Sequence, residues 1–233
     1  MHIKWFFLSL LLPLALFAER TPLFTPPPKW EIADPRTLSP RVQIGFLTKG
    51  KKGFCPSLNL SSEPVDLSLD QYVAIVMNLH AKKGTCRDLG PMKVQGGMGR
   101  LIQLETTSNF GPLRLMQFIT VWEGKAYALT ACARREDFGS YTATFEKAFR
   151  SLQLVDNLTD LLDEKRRKAL ELSEVRVIAA WQKCTSGVES HAKDRAFQKA
   201  WKPHEKMVVT QFSDLGAHFQ LLLLRQLEEK ITQ

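Results

Sequence analysis

Residues 114–133, RLMQFITVWEGKAYALTACA, carry the reading on which the fold turns. Arg114 to Trp122 and Lys125 to Ala133 are two runs rich in β-branched, aromatic and small apolar residues. Glu123-Gly124 joins them. A two-residue connection of this kind suits a primed turn, whose twist matches that of the flanking strands. The stretch therefore predicts an antiparallel hairpin and, with it, an antiparallel sheet.

Toward the N-terminus the same signals repeat. Leu101 to Thr107 reads as a strand, separated from the hairpin by the Asn109-Phe-Gly-Pro112 loop. Gly96, Gly97 and Gly99 form a turn after Lys93-Val94-Gln95. Ser68 and Gln71 match a capping box, and Leu69, Tyr72, Val73, Val76 and Leu79 follow at helical spacing. Asp70 in the first turn and Lys82 and Lys83 in the last suit the helix dipole, and Gly84 is placed for a left-handed end. Val42, Ile44 and Phe46 alternate as a half-buried strand. The basic turn Lys49 to Gly53 then leads into a second strand, Phe54 to Ser61, where Pro56 suggests an edge or a bulge.

Toward the C-terminus a helix starts near Ser140, with Tyr141, Phe145, Ala148, Phe149 and Leu152 as its stripe. Beyond Leu154 the strand signal stops. Asn157 to about Lys183 reads as helix, with Leu158, Leu161, Leu162, Ala169, Leu172, Val175 and Ala179 on one side. A short helix is expected over His191 to Trp201, and Pro203 fits the first position of the next one. That last amphipathic helix is marked by Met207, Phe212, Leu215, Phe219, Leu222, Leu223, Leu227 and Ile231.

The first eighteen residues, MHIKWFFLSLLLPLALFA, have the layout of a secretory signal peptide: Lys4, an uncharged apolar run, and Ala18 before Glu19. The run falls short of the roughly 20 apolar residues needed to span a bilayer. The organisation expected is a signal peptide over 1–18, a proline-rich linker over 19–41 on which Trp30 docks back, an α+β domain over 42–155 and a helical extension over 156–233. The exported chain would work in the periplasm or cell envelope, with no transmembrane span after cleavage.

The chain holds 32 Lys and Arg against 24 Asp and Glu, a formal +8, or +7 once Lys4 leaves with the signal. That charge favours anionic surfaces such as phospholipid headgroups. Its dispersal along the chain argues against nucleic acid as a partner. Cys55, Cys86, Cys132 and Cys184 are too far apart for a C-x-x-C redox pair or zinc knuckle. They permit three disulfide pairings or buried free thiols. There is no G-x-S-x-G elbow, and His80, His191, His204 and His218 do not follow H-E-x-x-H spacing. Gly96 to Arg100 lacks the Lys and the helix of a phosphate loop and reads as a β-turn. No residue takes a catalytic, metal-binding or cofactor-binding role; a hydrolase using one of the cysteines is the least favoured class.

Several framework residues carry a resemblance: Trp30, Phe54, Pro56, Leu58 and Leu60, the helix from Leu69, and Gly96-Gly97-Met98-Gly99. Tyr127-Ala-Leu-Thr130 and Phe145, Phe149 and Ser151-Leu152 complete it. Over residues ~27–155 the order of pieces resembles the PsbP-like and Ran-binding Mog-type superfamily, which includes bacterial DcrB-like envelope proteins. The resemblance implies an antiparallel sheet flanked by helices and a non-enzymatic job, since members bind and assemble other proteins. Residues ~156–233 have no counterpart in the minimal fold.

The sequence thus points to an α+β protein acting as a non-catalytic binding or assembly factor of the bacterial envelope, recognising an unidentified envelope protein or an anionic lipid surface. The alternative is a carrier of lipid or a small hydrophobic ligand. The expected contacts are Trp122, Arg134, Arg135 and the apolar face running through Phe212, Phe219, Leu223 and Leu227.

Overall fold

The computed structural model describes residues 20–82, 84–184 and 194–232; the expected signal peptide and His191 lie outside them. Period-two alternation builds the sheet. In β3 (Val42–Leu47) Ile44 and Phe46, and in β4 (Ser57–Pro64) Leu58 and Leu60, turn one way and are buried. β5 (Thr85–Val94), β6 (Gly97–Ser108), β7 (Gly111–Trp122) and β8 (Lys125–Arg134) supply the long strands. With the two-residue β2 (Glu31–Ile32) they form a seven-stranded antiparallel sheet in the order β2-β3-β4-β8-β7-β6-β5. The expected hairpin is present: Trp122 pairs with Lys125, and Glu123 and Gly124 both have positive φ, 46° and 74°. This is the backbone that a type I′ turn requires.

Helices cover both faces. α1 (Leu69–Ala81) starts at Ser68, whose side chain accepts from the Gln71 amide while the Gln71 side chain accepts from that of Ser68. It lays Val73 on Ile102, Leu104, Ile119 and Ala128. On the other face α2 (Thr142–Arg150) sets Phe145 and Phe149 against Phe46, Leu58, Leu60, Phe118 and Leu129, with no exposure at either phenylalanine. Each such ring contributes roughly 2–3 kcal/mol by leaving water. Trp30 packs edge-on against Tyr141 and Phe145.

The structure departs from expectation in several places. β5 is a strand where only a turn is legible, and its bulge at Asp88–Gly90 interrupts the pattern. Pro56 precedes β4 and marks no edge, because β4 lies inside the sheet between β3 and β8. The stretch over 20–41 is built into the fold: β1 (Thr21–Leu23) pairs with β9 (Gln153–Val155), and Phe24 is buried in the main core. Gly84 does not have positive φ. A Cβ there would lie 2.0 Å from the Glu105 carbonyl oxygen, so glycine is required by close approach.

The extension also rearranges. α3 (Glu164–Gln182) buries Leu170 and Val177, with Ser173 and Trp181 on the same side, and leaves Leu172 and Val175 exposed. α4 (Arg195–Gln211) begins at the Asp194 cap and runs through Pro203. Burial of Phe197, His204 and Val208 on one side carries the helix past the missing amide. The expected single last helix is two: the chain turns at Ser213–Leu215, and α5 (Gly216–Thr232) starts where Gly216 takes φ 86°. Arg166 spans Asp163 and Asp214 at 2.8 and 2.9 Å, fixing α3 to that turn, and Lys230 fixes α5 to Glu174 of α3 at 2.9 Å.

Candidate functional site

The residues expected to make one contact surface do not meet. Trp122 and Arg134 stand at opposite ends of the β7–β8 hairpin, nine strand steps or about 30 Å apart. Trp122 is in step with Phe118 and so faces the α2 side; Arg134 is in step with Ala128 and faces the α1 side. Trp122 closes over the β5–β6 turn, where a Cβ on Gly96 would lie 2.4 Å from its ring.

Arg134 is 9% exposed, with one guanidinium nitrogen 2.7 Å from Glu136. The basic turn arrives at the same place, with Lys52 3.1 Å from Glu136 and Lys51 3.5 Å from Asp137. Arg135 sits 3.5 Å from Glu105, which Arg114 also holds at 2.6 Å. The Lys52 hydrogen bond, then the charges of Arg134, Lys52 and Lys51, hold the Glu136 carboxyl below its usual range. Two basic clusters thus converge around Glu136, Asp137 and Glu105, which pair with them.

Phe212, Phe219, Leu223 and Leu227 are buried. The first three meet Leu158, Leu170 and Val208; Leu227 meets Val177 and Phe197. They form the extension's own core and offer nothing to a partner, because α5 turns its wide apolar arc onto α3, α4 and the sheet domain.

The apolar surface lies on α3 instead. Leu172 and Val175 are each 63% exposed and share their side of the helix with half-buried Ala179, at i, i+3 and i+7. Exposed Lys165, Lys168, Arg176 and Lys183 border this stripe, with Lys168 2.6 Å from Glu164. α3 therefore has two apolar sides, one inside the extension and one facing water.

The groups that could do chemistry have structural positions. All four cysteines are free, and only Cys55 is exposed. Burial pushes the Cys132 thiol up to about 11 and also raises Cys86 and Cys184, the opposite of what a reactive thiolate needs. His204 has no exposure; its Nδ1 is 2.9 Å from Ser173 Oγ, and its Nε2 is buried without a partner. His218 is 2% exposed, with ring centroids 4.7 Å from Phe24 and 6.3 Å from Phe46; the Phe24 N–H donates to its Nδ1 at 3.4 Å. The ring lines a cleft of about 480 Å³ between α5, β1 and β3, with Ile44 and Leu222 on its apolar side and Arg20, Arg225 and Glu229 on its polar side. Among the described residues no group of three His, Cys, Asp or Glu is placed to hold a metal ion, and no helix is long and apolar enough to cross a membrane.

Neither a protein-family model nor a curated protein sequence matches the chain. Solved structures do. The chain is similar to LpqN of Mycobacterium tuberculosis, described as involved in cell envelope biogenesis: 11% identity, 59% of this chain and 85% of that one, TM-score 0.46. It is similar to the cyanobacterial PsbP of Synechocystis at 12% identity, over 59% of this chain and 94% of that one, TM-score 0.39. It is also similar to the Ran-binding protein Mog1p of Saccharomyces cerevisiae at 13% identity, over 63% of this chain and 100% of that one, TM-score 0.38. Each likeness is one of fold, at 11 to 13% identity and over part of this chain.

Proposed function

We propose that this chain is an exported, non-catalytic binding or assembly factor of the bacterial envelope, and that it recognises a protein partner through the outward side of α3. The observation that carries this reading is the exposure of Leu172 and Val175 on a helix whose other side is already packed. Aligned apolar residues left in water on a long, well-capped helix suit an incoming amphipathic helix, which anchors at i, i+3 and i+7 spacing. Asp163 caps α3 by accepting from the Arg166 amide, so the stripe stands on a rigid element.

The test is site-specific photocrosslinking from position 176, which borders the stripe, in the native host, followed by identification of the captured protein. Leu172→Glu with Val175→Glu is expected to abolish capture. Ile75→Glu, at another exposed apolar position on α1, is expected to leave it intact. Equal loss or equal retention in both variants sinks the assignment. The cleft beside His218 favours a second reading, a small-ligand carrier, which a co-purifying molecule in native mass spectrometry would support.

A further inference from the structure

Because α4 runs unbroken through Pro203, it aligns residues that a helix start at 203 would separate. Arg195, Lys199, Lys202 and Lys206 fall at i, i+4, i+7 and i+11, one side of the helix, opposite buried Phe197, His204 and Val208. All four are exposed, and none is held in an ion pair among the described residues. Several carboxylates of the extension are engaged elsewhere. Asp163 and Asp214 hold Arg166, Glu174 holds Lys230, Glu164 holds Lys168, and Asp194 caps α4. Between 195 and 211 the one acidic residue is Glu205, which lies off the stripe. The row is about 16 Å long at 1.5 Å per residue, and Val209, 50% exposed, extends it by a turn.

We infer that this side of α4 is a docking stripe for an anionic phospholipid surface. Three observations favour lipid over an acidic protein. The charges form a straight row that a continuous negative surface meets at once. Three of the four are lysines, whose flexible stems suit headgroups without fixed geometry. The row ends in an apolar residue that can enter the interface, as on helices that lie along a membrane. Each such cation near a negatively charged leaflet strengthens partition about fivefold. This surface is separate from the α3 stripe, so either assignment can fail alone.

The test is flotation of the whole chain, purified from its host, with phosphatidylcholine vesicles that do or do not contain phosphatidylglycerol. One variant combines Lys199→Glu, Lys202→Glu and Lys206→Glu. A control combines Lys49→Glu, Lys51→Glu and Lys52→Glu and so makes the same change in net charge. All three proteins share the same N-terminal residues, whose contribution cancels in the comparison. Wild type and control are expected to float with the anionic vesicles only, and to be released by high salt. The α4 variant should lose at least about tenfold in bound fraction. Equal flotation of the two variants, binding of wild type to neutral vesicles, or no vesicle binding by wild type would each overturn the assignment. Circular dichroism and urea unfolding of both variants check that the fold is retained.

Discussion

His218 makes stability depend on pH in a direction that the structure fixes. The ring is 2% exposed between Phe24 and Phe46, its Nδ1 accepts the Phe24 N–H, and Arg225 is the nearby charge; Arg20 and Glu229 share the cleft. Burial comes first and Arg225 adds to it, and together they bring the pKa down to about 3 from 6.5. A folded-state pKa below the unfolded one means that the unfolded chain takes up the proton first. Stability is therefore full above about pH 6.5 and falls as pH drops toward the folded pKa, at about 1.4 kcal/mol per pH unit. Between about pH 7.5 and pH 5 this one side chain removes about 2 kcal/mol, in a window that lies mostly above the carboxylate range. His218→Asn offers an oxygen where Nδ1 stands and cannot be protonated there. The assay is urea unfolding of both proteins at the two pH values. Wild type should lose about 2 kcal/mol more than His218→Asn, while His204, common to both, cancels. If the two proteins lose the same stability, the buried neutral imidazole is refuted.

Other perturbations follow from close contacts and caps. Gly99→Ala would bring a Cβ to 2.2 Å from the Phe118 ring and 2.5 Å from the Ile119 carbonyl oxygen, so urea unfolding should show a loss of about 1–3 kcal/mol. Ser68→Ala removes half of the capping box and should cost about 1 kcal/mol, seen as faster hydrogen exchange in the first turn of α1. Alkylation at neutral pH, followed by mass spectrometry, should label exposed Cys55 first and Cys132 last, because burial raises the Cys132 thiol to about 11. Equal rates at the two thiols would contradict their burial.

What could be read from the chain depends on the reach of the interaction that decides each element. The β7–β8 hairpin and the α1 capping box rest on partners within a few residues, and both are legible. β1 and β9 are three residues each and pair across 130 positions or more, so neither leaves a periodic signal. α3 misleads for a different reason. Its buried side contains Ser173 and Glu174, satisfied by His204 and Lys230 from other helices, whereas the outward side carries Leu172, Val175 and Ala179. Hydropathy therefore picks the wrong side, because polar residues with distant partners cannot be recognised locally. The cationic row on α4 is hidden in the same way: Pro203 reads as a helix start until tertiary burial carries the helix through it.

The same long-range contacts bind the extension to the sheet domain. Phe24 packs at once on Phe46 of β3 and on His218 of α5, and Ala217 and Leu221 of α5 pack against the main core. β1 pairs with β9, and Arg20 reaches Asp156 at 2.7 Å, so residues 20–24 lie where domain and extension join. A chain ending after β9 would expose Phe24, Leu23 and Val155 together, three side chains that the full chain keeps below one-tenth exposure. Uncovering them removes several kcal/mol from a domain whose net stability is of the same order. The helical extension is thus part of what holds the sheet domain closed at this corner, and it holds the stripes on α3 and α4 in a fixed relation to the sheet.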